Sequence, residues 1–268
     1  MIFEVQLISI LLGLFIGLVL ALTGAGGSIL AIPLLVFGLN LSLTQAAPIV
    51  LLAVFSATSI GAIQGFRAGK VRYKTALLIA SFGIALAPLG VWLARSAPTK
   101  ILSLGFAATL VFVAWRMWQQ STQTLHAEEN KPAPACVINP ATSKLFWAAP
   151  CTRRLVLTGG MAGLLSGLFG VGGGFVIVPS LRKVSNFDMP TILATSLTVI
   201  ALVSAASVFT YLLHGDIHWN IAAPFVISTM IGLFSFKLVS HKIPVEISQR
   251  SFAVLAVIAA VIIINKSF

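Results

Sequence analysis

Apolar residues run on through most of this chain in stretches too long for the core of a water-soluble domain. Residues 5–66 contain no Asp, Glu, Lys, Arg or His. A helix crosses the hydrocarbon of a bilayer in about 20 residues, so this run predicts a span together with a broken or re-entrant element. The break is written at Thr23-Gly24-Ala25-Gly26-Gly27-Ser28, with Pro33 five residues further on. We read a broken hairpin over 5–38, then spans over about 45–66, 74–95 and 99–118. A second broken hairpin, 155–181, is interrupted at Gly170-Val171-Gly172-Gly173-Gly174 with Pro179 beyond, and spans follow over about 190–213, 220–241 and 246–264. The runs lack the ten-residue alternation of a transmembrane barrel, which leaves an all-α polytopic membrane protein.

The two halves repeat one another. At an offset of 146 residues, Gly13, Gly17, Gly24, Gly26, Gly27, Pro33, Asn40, Gly69 and Pro98 meet Gly159, Gly163, Gly170, Gly172, Gly173, Pro179, Asn186, Gly215 and Pro244 without a gap. An apolar composition yields chance Leu and Ile matches, but not Gly and Pro held in one register over a hundred residues. The chain therefore divides into repeat 1 (1–118), a polar linker (119–154) and repeat 2 (155–268). The linker carries His126, Glu128, Glu129, Lys131, Pro132, Pro134, Pro140, Lys144, Arg153 and Arg154, with an apolar patch at 145–149 suited to the membrane surface.

Charge adds orientation. Lys and Arg number 17 against 6 Asp and Glu, for a net +11, yet the basic residues sit in short loops, which is the positive-inside pattern rather than a nucleic-acid surface. The loop 67–74 carries Arg67, Lys70, Arg72 and Lys74 and is expected in the cytoplasm. Its counterpart 213–220 carries His214, Asp216 and His218 without Lys or Arg and is expected outside. The loop 39–44 is neutral, whereas 182–188 opens with Arg182 and Lys183. Equivalent loops thus prefer opposite sides, so the halves read as inverted, each with three spans and a hairpin that returns to its own side. The loop 95–100, with Arg95 and Lys100, runs against this pattern. The N-terminus lacks a basic n-region and reads as a retained helix, not a signal peptide. Cys136 and Cys151 read as two unpaired linker thiols, since a disulfide needs an oxidising compartment. Trp92, Trp115, Trp118, Trp147 and Trp219 lie near span ends or on the linker and read as interfacial anchors.

Non-helical backbone at membrane depth is tolerated only against protein or a wet cavity. A helix restarting after a glycine turn presents N–H groups without intrahelical acceptors, with about half a positive charge, and such a start binds anions. The expected starts lie near Gly27/Ser28 and Gly173/Gly174, loosened further by Pro33 and Pro179. The candidate substrate-binding set is Thr23, Gly24, Gly26, Gly27, Ser28, Ser166, Gly170, Gly172, Gly173 and Gly174. Gly13 with Gly17, and Gly159 with Gly163, have the four-residue spacing of helix packing. Neither break is a nucleotide loop, because no Gly-Lys-Ser/Thr follows and Phe175 occupies the last position of G-x-G-x-x-G. His214, Asp216 and His218 read as a solvated loop, with an external gate or proton sensor as the alternative. Arg67, Arg95 and Arg116 read as snorkelling cations. Gln45, Thr58, Ser59, Gln64, Thr195, Ser196, Thr198 and Ser204 are pathway-lining candidates as a group.

Ser28 has no intramembrane His or carboxylate beside it, so catalysis is not expected. Hard or imidazole ligands are missing at membrane depth, so neither a metal site nor a cofactor is expected. The pattern instead matches a transporter with inverted repeats and a midplane site, working by alternating access. A non-transporting sensor or assembly scaffold is the alternative.

The doubled motif Gly-x-Gly-Gly-(Gly/Ser)-x4-Pro, opening each half of a duplicated chain with a polar central linker, resembles the TauE/SafE sulfite exporter family. The resemblance covers nearly all of the chain outside 119–154. It implies transport of a small inorganic or organosulfur anion, such as sulfite or an organosulfonate, across a bacterial-type cytoplasmic (inner) membrane. The lipid bilayer is the expected partner, with no nucleic acid, and a homo-oligomer is compatible with the sequence. The first copy ends in Ser28 where the second has Gly174, so the two sites need not be equivalent.

Overall fold

The computed structural model describes residues 2–123, 136, 149–214, 217–240 and 245–267. Helix α1 (Ile2–Thr23) passes through a 3-10 segment (Gly24–Leu30) into the short α2 (Ala31–Gly38), and α3 (Leu43–Arg67), α4 (Tyr73–Ser96) and α5 (Thr99–Gln123) follow. After the linker come α6 (Ala149–Phe169), α7 (Gly174–Val184), α8 (Met189–Leu213), α9 (Trp219–Ser240) and α10 (Val245–Ser267). Among the described residues, Glu4–Ala21, Leu43–Arg67, Tyr73–Ser96, Thr99–Gln119 and Met189–Leu213 are long and apolar enough to cross a membrane. Helices α5 and α6 each extend into the stretch read as linker.

Local chemistry explains the boundaries. Ser42 and Gln45 form a capping box at the start of α3, the Ser42 hydroxyl accepting from the Gln45 N–H and the Gln45 side chain from the Ser42 N–H. This reciprocal pair satisfies two donors that α3 cannot use itself, and it gives Gln45 a capping role, not a pathway-lining one. The chain folds back after α1, since a side chain at Gly38 would stand 2.7 Å from Leu12 Cδ1. The first broken element is therefore a hairpin.

Helix α1 packs along α9, α4 along α6, α3 along α8 and α5 along α10. The first two pairs owe their closeness to glycine. A Cβ on Gly13 would stand 2.6 Å from the Phe225 carbonyl oxygen, and one on Gly17 would be 2.8 Å from Gly232 Cα. In the other half, a Cβ on Gly159 would stand 3.0 Å from the Ile79 carbonyl carbon, and one on Gly163 would be 2.6 Å from Gly83 Cα. Backbones this close exclude any side chain, as small-residue helix interfaces require. Helices α3 and α8 run antiparallel. A Cβ on Gly61 meets Leu197 and one on Gly65 meets Ala194, while Ala47 and Leu51 cluster with Val208 and Tyr211. Outward faces are apolar, with Leu77, Phe209, Ile227, Trp92, Trp115 and Trp219 all more than half exposed, as a lipid-facing surface demands. Trp147 lies outside the described residues.

Loop contacts gather basic residues at one end of the bundle. The Arg72 N–H donates to the Thr195 hydroxyl at 3.1 Å, and the Arg72 guanidinium lies 5.9 Å from the Phe187 ring centroid. The 68–72 and 185–188 loops therefore share a face.

The cysteines correct the sequence reading, because Cys136 and Cys151 are joined in a disulfide with a Cα–Cα distance of 5.1 Å. The Cys136 N–H donates to the Val184 carbonyl at 2.8 Å. This second contact ties Cys136 to the end of α7 as well. A lasting disulfide belongs to an oxidising compartment, whereas the cations on the same face argue for the cytoplasm.

Two glycines separate steric from conformational cost. Gly69 has φ +66° and nothing near its Cβ position, so Gly69→Ala should cost about 1 kcal/mol of left-handed strain. Gly163→Ala pushes a methyl into the α4 backbone and should cost about 1–3 kcal/mol or more. Thermal melting of the two variants in detergent checks the order, and equal shifts would refute glycine-limited packing.

Candidate functional site

The second break opens where α6 ends at Phe169. Gly170, Gly172 and Gly173 have φ of +71°, +69° and +71°, a region costly to other L-residues. Gly173 caps α7 without a side-chain hydrogen bond, and the Val176 and Ile177 N–H groups turn back to its carbonyl at 3.0 and 3.2 Å. The preceding donors of α7, from Gly174 and Phe175, have no acceptor within the helix. Pro179 is the sixth residue of α7 and removes the donor that the Phe175 carbonyl would receive in an unbroken ladder.

The break lies at mid-length of two membrane-long helices. The Cβ position of Gly172 is 2.8 Å from Val54 Cγ1 on α3, and 3.0 and 3.2 Å from Ser204 Oγ and Ile200 Cγ2 on α8. Gly170 lies against Ala47 of α3, and Gly173 against Ala162 of α6. Glycine is needed twice here, for the hand of the backbone and for the closeness of its neighbours.

The first break differs. Gly24–Leu30 form a continuous 3-10 segment leading into α2, so no helix starts at Gly27/Ser28 as the motif had suggested. Glycine accepts either hand, and nothing in the local sequence explains why the two copies diverge. Pro33 is the third residue of α2, within its first turn, where a missing N–H costs nothing. Thr23 ends α1, and Gly24, Gly26 and Gly27 belong to the 3-10 segment.

Ser28 joins the two breaks. Its hydroxyl, 1% exposed, donates to the Val171 carbonyl at 2.7 Å across 143 residues of sequence. Ser166 faces α8, its Oγ 3.3 Å from Ser207 Oγ, and the Ser207 hydroxyl donates to the Val203 carbonyl at 3.1 Å. The Tyr211 hydroxyl donates to the Gly167 carbonyl at 3.2 Å. Thr58 and Thr198 bond back to the Val54 and Ala194 carbonyls, Thr195 holds Arg72, and His214 and His218 are exposed on their loop. Asp216 lies outside the described residues. A cavity of about 500 Å³ adjoins the start of α7, lined by Gly174, Phe175 and Pro179 with Phe112, Arg116 and Met161.

The central arrangement can hold a small anion: a helix start, hydroxyls and an apolar surround that strengthens both. Sequence reasoning named the glycines and Ser28 as candidates, did not foresee the Val171 carbonyl as the partner of Ser28, and did not separate Ser204 from the other polar residues of its group.

Comparison with known proteins adds a second line. A family profile described as Sulfite exporter TauE/SafE matches residues 9–263. The chain is 28% identical over 267 residues to a probable membrane transporter protein of Xylella fastidiosa strain Temecula1, and 26% over 265 residues to one of strain 9a5c, covering 96% of this chain and 94% of the relative in both cases. A probable membrane transporter protein of Haemophilus influenzae is 36% identical over 115 residues, 39% of this chain and 42% of the relative. No solved structure matches.

Replacing Ser28 by Ala leaves the buried Val171 carbonyl without this donor, at a cost of roughly 1–3 kcal/mol. Thermal melting should fall accordingly, whereas an unchanged melting temperature would mean the junction is not formed.

Proposed function

Since the chain belongs to the sulfite exporter TauE/SafE family and is a multi-pass membrane transporter, we propose that it carries a small anion, sulfite or an organosulfonate, at a central site made by its two glycine breaks. The Ser28–Val171 hydrogen bond carries this reading, because it joins the breaks beside the midpoints of α3 and α8. The start of α7 supplies orphan donors there, and a polar backbone at that depth needs a ligand or protein to satisfy it. Substrate class rests on the family's description.

Alternating access follows from inverted halves, and three observations support the inversion. Corresponding helices α3 and α8 are antiparallel. The pairing of α1 with α9 becomes that of α6 with α4 when the halves are exchanged. The glycine contacts repeat too, as Gly13 on Phe225 and Gly159 on Ile79 differ by the same 146 residues. We assign the basic end to the cytoplasm of a bacterial-type inner membrane on the strength of Arg67, Lys70, Arg72, Lys74, Arg182 and Lys183.

Proteoliposomes containing the protein should take up sulfite, and Gly172→Ala should lower the rate at least tenfold while the variant still purifies. Wild-type rates in Gly172→Ala would remove the break from the site. For sidedness, Lys70→Cys and His218→Cys are placed separately in a Cys136→Ser/Cys151→Ser background and labelled in intact cells with an impermeant maleimide. Label at position 218 alone supports the orientation, and label at both positions refutes inversion.

A further inference from the structure

We infer that the Ser204 hydroxyl is the side-chain donor that contacts the transported anion at the α7 helix start, an assignment that rests on the anion-carrier reading above. In membrane helices a Ser or Thr hydroxyl ordinarily bonds back to a carbonyl one turn earlier. Helix α8 does this repeatedly: Thr198 donates to Ala194 at 3.0 Å, Ser207 to Val203 at 3.1 Å and Thr210 to Ala206 at 2.9 Å. Ser204 does not. Its side chain is 0% exposed and its Oγ has no hydrogen-bond partner. Buried polar atoms are normally paired, so an orphan hydroxyl calls for an explanation.

Its position supplies one. Ser204 Oγ lies 3.0 Å from the point where a Cβ on Gly172 would stand, so it fills the space left by the missing side chain two residues before α7 begins. A hydroxyl beside the glycine turn that opens a helix, together with the first N–H groups of that helix, is complementary to an oxyanion with several unprotonated oxygens. Val54 and Ile200 press on the same glycine and keep the surround apolar, which strengthens a charge-assisted hydrogen bond. The cavity beside α7 does not include Ser204 in its lining, so the donor belongs to the junction of the breaks and not to that outer groove. Ser196, two turns earlier on the same face of α8, is likewise 0% exposed and without a partner.

The test compares wild type, Ser204→Ala and Thr210→Val as purified proteins, with sulfite and methanesulfonate as probes in calorimetric binding. Ser204→Ala should weaken binding roughly tenfold while the melting temperature without ligand stays level or rises, because an unpaired buried hydroxyl has been removed. Thr210→Val should bind as wild type does. A purely structural Ser204 would shift melting and leave affinity alone, and that result overturns the assignment while the carrier reading stands. Failure of wild type to bind either anion overturns both.

Discussion

A backbone N–H or C=O inside a bilayer has no water to turn to, and the architecture of this protein follows from that constraint. Continuous helices meet it by bonding to themselves. Where α6 gives way to α7, three left-handed glycines interrupt the ladder beside the centres of α3 and α8, and partners must come from elsewhere in the fold. The Ser28 hydroxyl supplies one, reaching the Val171 carbonyl from the other half of the chain. The unpartnered hydroxyl of Ser204, on α8, stands beside Gly172 in the turn that leads into α7.

The surrounding helices hold this junction in place by close approach. Glycines at the α1–α9 and α4–α6 contacts bring backbones within reach of one another, which lipid cannot drive by hydrophobic exclusion and which dispersion contacts must supply. Helices α3 and α8 cross between these pairs as antiparallel counterparts. The site proposed above lies at their middle, where a carrier with inverted halves would hold its substrate.

Much of this was legible in the residues, for identifiable reasons. Spans show as uncharged runs because charge is costly in hydrocarbon. The packing role of Gly13, Gly17, Gly159 and Gly163 shows in their four-residue spacing, which is the helical repeat. Gln45 was misread because a capping box at a membrane surface and a polar pathway residue look alike in composition, and only its hydrogen bonds to Ser42 separate them. Cys136 and Cys151 were misread because loop charge, taken as a sign of a reducing compartment, says nothing of whether two thiols meet in the fold, where their Cα atoms stand 5.1 Å apart.

By itself the sequence determined that the chain is an all-helical membrane protein and where its helical ladder can break. These are local properties, set by hydrophobicity, charge and the conformational freedom of glycine. Tertiary structure decided how each break is used. The same glycine pattern became a 3-10 segment in one half and an open left-handed turn in the other, since glycine permits both and the neighbours choose. It also decided that Ser28 meets Val171, and that Ser196 and Ser204, among many similar hydroxyls, are left without partners. Those outcomes depend on distances between residues far apart in the chain, which no local pattern encodes.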